Sequence, residues 1–266
     1  MDSVFPPLTA TGFDAITSAL PAVVYLLVAL AAVLYAPRDT RTRVFLLVAV
    51  TNLAPYALPF YAWRRPGSTF TRPLLSVIAV SLLLGSLALF HFTQVFPWRR
   101  PWIRRYFELL LTGYLLGPFI VLGLIWFAPA TPEEMQAAYA VLTLFIGLPT
   151  VFAVGVVAPF AGLLSLYYSY LAARAAGLDR ARVPLAGIIV SQLAGGVLAI
   201  LVIPLLHFVA PSGPWVAIAS ALLAAFGVLM PLAFAAGIWT FGVLTLDIDD
   251  LPSIRSALQG PIEPPS

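Results

Sequence analysis

Cysteine and lysine are both absent from this 266-residue chain, and charged residues of either sign make up only 9% of it. Without cysteine there is no disulfide, no thiol nucleophile and no thiolate-bound metal or iron–sulfur cluster. An ordinary soluble domain carries about 25% charged residues, so a chain this poor in charge cannot clothe a water-facing surface. All 14 basic residues are arginine, for which a GC-rich coding sequence is the plain explanation. They lie between apolar runs rather than along one face, so the net charge of +3 is no nucleic-acid signal. The patterns HExxH and GxSxG, a P-loop and any carboxylate pair within an apolar run are missing as well. No catalytic residue is assigned and no enzymatic activity is expected. Apolar runs free of Asp and Glu also argue against ion-driven transport. The first twenty residues lack a basic n-region and carry Asp2 and Asp14, so they do not read as a cleavable signal peptide.

What the chain has instead is apolar length. Hydrophobic residues make up 61% of it, and its mean hydropathy is +0.99. A hydrocarbon core of about 30 Å takes about 20 apolar residues per helix. Seven runs reach that length, at 15–36, 44–62, 74–96, 106–128, 137–171, 184–209 and 215–246. They are continuous rather than alternating, which excludes the period-two pattern of a membrane barrel. The expected fold is therefore all-α, a polytopic bundle of seven transmembrane helices over 1–246, followed by a short cytoplasmic tail over 247–266. No internal repeat is evident, which weakens a transporter built from inverted halves.

Arginine placement gives the expected orientation. Eleven arginines fall on one side: Arg38, Arg41 and Arg43, then Arg99, Arg100, Arg104 and Arg105, then Arg174, Arg180 and Arg182, then Arg255. The other side holds three, Arg64, Arg65 and Arg72, beside Glu133 and Glu134. This puts the N-terminus outside and the C-terminus in the cytoplasm of a multi-pass inner-membrane protein. In "FPWRRPWIRR", Phe96 and Pro97 end the third helix, because proline disfavours helical geometry in the residue before it. Trp98 and Trp102 suit the membrane interface, and Arg99, Arg100, Arg104 and Arg105 hold the loop in the cytoplasm. Arg104 and Glu108, four apart, are spaced to pair.

Small residues predict helix packing. Gly187, Ser191, Gly195 and Ala199 line one face of the sixth run, Gly113 and Gly117 the fourth, and Ala217, Ala221 and Ala225 the seventh. Pro149 and Pro159 predict a break in the long fifth run. Polar residues inside the apolar runs are few, and each is a ligand-site candidate by default: Asn52, His91, Gln94 and Gln192. His91 and Gln94 lie three apart and would share a face. The alternative for each is a side chain bonded to neighbouring backbone. His91 and His207 fall near opposite boundaries, about 20 Å or more apart in a core of about 30 Å, so they cannot share one haem iron or metal. No metal site and no cofactor is expected.

Two stretches resemble a known family. "FHFTQVFPWRRPWIRR", with His91, Phe92, Phe96 and Pro97, is similar to a helix end in the seven-helix membrane region that opens one group of bacterial sensor histidine kinases. "LTLDIDDLPSIRSAL", with Leu246, Asp247, Ile248 and Asp249, is similar to the segment through which those regions leave the membrane. Thr245 stands where the family's exit has a basic residue, and Pro252, Pro261, Pro264 and Pro265 oppose a long signalling helix. No kinase domain follows before Ser266. The resemblance implies a stand-alone sensory module that contacts the lipid bilayer and acts through a cytoplasmic or membrane signalling partner, with Asp247, Asp249 and Asp250 at its exit. Two other classes stay open at this level: an accessory subunit of a larger membrane complex, and a small-molecule transporter or membrane enzyme. Residues alone do not give an oligomeric state.

Overall fold

The computed structural model describes residues 11–65, 71–100, 103, 107–127, 143–209 and 214–246, without the side chains of residues 145, 151, 200, 204, 207, 208 and 214. These residues form seven helices: α1 Gly12–Tyr35, α2 Thr40–Arg64, α3 Arg72–Val95, α4 Phe107–Phe127, α5 over 143–175, α6 over 179–209 and α7 Pro214–Trp239. The all-α expectation holds. Six of the seven, all but α6, are long and apolar enough to cross a membrane. The difference in α6 arises at its start, where Asp179, Arg180 and Arg182 occupy the first turn.

Local chemistry sets the helix ends. Thr11 caps α1 in a reciprocal box, its Oγ1 accepting from the Asp14 backbone N–H while its own N–H donates to Asp14 Oδ2 at 2.9 Å. Asp39 caps α2 by accepting from the Arg41 N–H at 2.7 Å. Gly177 closes α5 with φ +67°, its N–H reaching the Arg174 carbonyl and the Leu178 N–H reaching that of Ala173. That paired pattern needs the left-handed residue that glycine supplies.

Both predicted breaks in α5 occur, and the same device recurs in α6. Five-residue π-helical turns span Thr143–Gly147, Ala153–Val157 and Leu198–Val202. Each ends two residues before a proline: Pro149, Pro159 and Pro204. Proline lacks the N–H for the preceding turn and crowds the carbonyl four residues back. A wider turn moves that carbonyl aside without ending the helix. Pro21, Pro55, Pro59, Pro118, Pro184 and Pro231 are instead carried inside ordinary α-helix.

Two boundaries differ from the sequence expectation. α6 begins at Asp179 rather than near 184, because Pro184 is accommodated within the helix. α7 ends at Trp239 rather than 246. There Gly242 turns left-handed at φ +63°, and a single 3-10 turn, Val243–Thr245, follows.

Neighbour relations close into a ring: α1 packs on α2, α2 on α3, α3 on α5, α5 on α6, α6 on α7 and α7 on α1. α4 lies outside this ring against α3 and the first turn of α5. The core concentrates at one end of the ring. Phe45, Phe92, Phe96 and Phe234 are each at most 1% exposed, and the rings of Phe45 and Phe234 stack at 4.0 Å. Phe92 meets Phe45, Phe96 and Phe234 at 5.2–5.4 Å, and Tyr25 stacks on Phe45 at 5.8 Å. One aromatic cluster thus ties α1, α2, α3 and α7 together. In lipid the gain is close packing rather than removal from water, with about 0.5–1.5 kcal/mol per ring pair.

Of the small-residue stripes, that of α6 faces α7. A Cβ on Gly187 would lie 2.8 Å from the Ala233 Cβ, and Ser191 Oγ donates to the Phe226 carbonyl at 2.6 Å. Ala199, at its far end, is exposed. On α4, Gly113 and Gly117 sit against Leu87 and Leu83 of α3. The α7 expectation fails. Ala217 and Ala225 are exposed, while Ala219 and Ala224 are buried instead. The face of α7 is shared between α6 and α1, which shifts the buried stripe around the helix.

Candidate functional site

The densest polar architecture lies at the same end as the aromatic cluster, where the α1–α2, α3–α4 and α5–α6 connections meet the exit from α7. Arg41, in the first turn of α2, is its centre. Asp39 holds the guanidinium in plane, accepting from Nε at 3.0 Å and from Nη2 at 2.7 Å. Nη1 donates to the carbonyls of Pro97 at 2.7 Å, Val243 at 3.1 Å and Leu246 at 3.3 Å. Nη2 also donates to the Leu244 carbonyl at 2.7 Å. The Arg41 side chain is 13% exposed. One arginine therefore fastens the turn after α7 to both the start of α2 and the loop after α3. Arginine suits this role because its planar fork serves several acceptors at once.

A second network joins α3 to α5. Gln94 is 2% exposed; its Nε2 donates to Thr93 Oγ1 at 2.9 Å and its Oε1 accepts from Ser165 Oγ at 3.0 Å. Arg100 Nη2 donates to the Ser165 carbonyl at 2.6 Å and to Ser169 Oγ at 2.8 Å. The loop is folded back on itself, with the Arg100 N–H on the Gln94 carbonyl at 3.1 Å. Burial of the guanidinium away from water lowers the Arg100 pKa from its ordinary 12.5 to about 10.

The four polar residues singled out from sequence are not brought together. Gln94 faces α5, whereas the ring of His91 faces Tyr114 of α4, with centroids 6.3 Å apart. Asn52 of α2 donates to the Val48 carbonyl one turn back and abuts Gly85 of α3. Gln192 of α6 reaches Met230 of α7. His91 Nδ1 and Tyr114 Oη are buried without a hydrogen-bond partner among the described residues. The interface residues divide as well. Phe96 and Trp98 are 1% exposed and belong to the core, so neither side chain is presented to lipid. Pro97 follows a cis peptide bond and offers its carbonyl to Arg41, and Arg99 is exposed. Trp102, Arg104 and Arg105, with the Arg104–Glu108 pairing, lie outside the described residues, as do Asp247, Asp249 and Asp250 and the His207 side chain.

Sequence reasoning singled out Arg41 only as a topogenic charge and did not single out Thr93, Ser165, Ser169 or Tyr114. Only the local half of the Arg41 site is legible, in the Asp39-x-Arg41 spacing of a helix cap. Its other acceptors lie 56 and more than 200 residues away. An open groove of about 460 Å³ between α6 and α7, lined by Val190, Leu193, Val197, Leu222 and Phe226, offers no polar group to a ligand. No family model matches this sequence, and neither does any curated protein or solved structure. Fold and composition together establish a multi-pass helical membrane protein whose helices contact the bilayer.

Proposed function

We propose that this protein is a sensory or signalling module of the inner membrane, without catalysis of its own, that passes a rearrangement of its bundle to a partner protein through the turn after α7. One observation carries the proposal. Arg41 ties the carbonyls of Val243, Leu244 and Leu246 to the first turn of α2 and to the Pro97 carbonyl. A shift between α2 and α3 is therefore delivered to the segment that begins at Asp247, rather than absorbed by a slack connection. The resemblance of residues 90–105 and of Leu246–Asp249 to the membrane regions of sensor histidine kinases supports the same reading, as does an N-terminus placed outside by the arginine bias.

Competing with it is an accessory subunit of a larger membrane complex. The observation in its favour is α4, which packs on α3 and the start of α5 and leaves Leu109 and Phe119 more than 70% exposed. A transporter or membrane enzyme has no such support. Quantitative co-purification from native membranes separates the first two. On the signalling assignment, Asp247→Asn with Asp249→Asn weakens recovery of the partner while the melting temperature stays nearly constant. If the partner is recovered equally well after deletion of 247–266, contact is made within the bilayer and the accessory subunit is the better assignment.

A further inference from the structure

Arg100 is a half-buried cation that the described chain leaves without a counter-charge. Its position is fixed at both ends. The backbone N–H is held by the Gln94 carbonyl and the backbone carbonyl accepts from Ile103 at 3.3 Å. The guanidinium is pinned through Nη2 to Ser165 and Ser169 of α5. Every acceptor in that network is neutral. Ser169 Oγ donates onward to the Ser165 carbonyl, Ser165 Oγ to Gln94 Oε1, and Gln94 Nε2 to Thr93 Oγ1.

None of the described carboxylates serves Arg100. Asp39 is engaged by Arg41 and Asp179 by Arg182. Asp14 closes its own cap at the opposite end of α1, and Glu108 is exposed at the start of α4. Among the described residues, Nε and Nη1 of Arg100 have no acceptor. A pinned guanidinium with one edge committed and another free presents parallel N–H groups in a geometry that fits phosphate oxygens. It sits just past the last turn of α3, at the depth where a phospholipid carries its phosphate, with exposed Arg99 alongside.

We propose that Arg100 is a receptor for a phosphate group at the α3–α5 seam, supplied by the headgroup of an anionic phospholipid or by a free phosphate anion. The site does not depend on the signalling assignment. Burial lowers the basicity of the guanidinium, and an anion seated on its free edge relieves that penalty.

Purified full-length protein, titrated in neutral detergent with phosphatidylglycerol, phosphatidylcholine or inorganic phosphate, tests this by native mass spectrometry and thermal melting. The wild type is expected to retain the anionic lipid about fivefold over the zwitterionic one, the contribution of one well-placed basic residue. Arg100→Gln should abolish that preference, while Arg64→Gln, at the opposite end of the bundle, should leave it. Arg100→Lys keeps the charge needed for folding but loses the fork, and its preference should fall clearly below wild type. Stabilisation by inorganic phosphate that matches the lipid effect and vanishes in Arg100→Gln assigns the site to the free anion. A preference unchanged in Arg100→Lys overturns the proposal. So does one lost equally in Arg64→Gln, or no response to either phosphate source.

Discussion

Removing the Arg41 side chain is the sharpest test of how the exit turn is held. Arg41→Ala deletes the bonds to Pro97, Val243, Leu244 and Leu246 together with the pairing to Asp39. Their contributions are unequal. The Val243 carbonyl keeps a second donor, the Leu246 N–H at 3.1 Å, and the Leu246 bond is long at 3.3 Å. Asp39 is 20% exposed and turns to water, which leaves little for the ion pair itself. Two strong bonds remain, to the Pro97 and Leu244 carbonyls, both at 2.7 Å. A hydrogen bond to a charged donor contributes about 1.5–3 kcal/mol, so the lower bound for the pair is about 3 kcal/mol. At 1.4 kcal/mol per factor of ten, that is roughly a 140-fold rise in opening of the turn. Hydrogen exchange on purified protein reads this directly at the amides of Thr245 and Leu246, which donate to Gly242 and Val243. Exchange there should accelerate by two orders of magnitude while the amides of α3 and α6 stay protected. Arg41→Lys, a point charge without the fork, should recover less than half of the loss. If exchange in 243–246 is unchanged in Arg41→Ala with the bundle intact, the turn is held by burial of Val243 alone, and the coupling inferred through Arg41 is wrong.

Three further outcomes follow from the fold. Single cysteines placed at Ser3 and Ser256 should differ on intact cells, with an impermeant thiol reagent labelling only position 3; labelling of position 256 alone would invert the orientation drawn from the arginines. Gly187→Val should separate α6 from α7, because its Cβ would lie 2.8 Å from that of Ala233, at a cost of about 1–3 kcal/mol. Gly196→Ala meets nothing within 4 Å and should be silent in the same SDS-unfolding assay, so equal effects would refute the packing assignment. Ser191→Ala removes the 2.6 Å bond to the Phe226 carbonyl, and its unfolding free energy should drop by about 0.6 kcal/mol, as for interhelical bonds in lipid generally. A loss several times larger would mean that Ser191 does more than bridge two helices.

Much of the architecture follows from the sequence alone because the bilayer leaves so few alternatives. With no water to satisfy backbone groups, long apolar runs must become helices, and their number and rough ends can be counted. Proline chemistry placed the breaks at Pro149 and Pro159, and small residues placed the α6 face against α7, since each acts within its own helix. Facing and partnership were decided elsewhere. His91 and Gln94 stand three residues apart, which at 3.6 residues per turn leaves about 60° between them. On a lone helix that is one face. In this bundle α3 is wedged between α4 and α5, so 60° is enough to send His91 toward Tyr114 and Gln94 toward Ser165. Trp98 carries the sequence signature of an interfacial anchor, yet the loop folds back through the Arg100–Gln94 bond and buries it at 1% exposure. Arg41 reads as one charge among the eleven on its side, because the carbonyls it binds are distant in the chain and carry no side-chain signal. Local physics fixed the helices, and only the closing of the ring determined which arginine faces solvent and which one holds the exit in place.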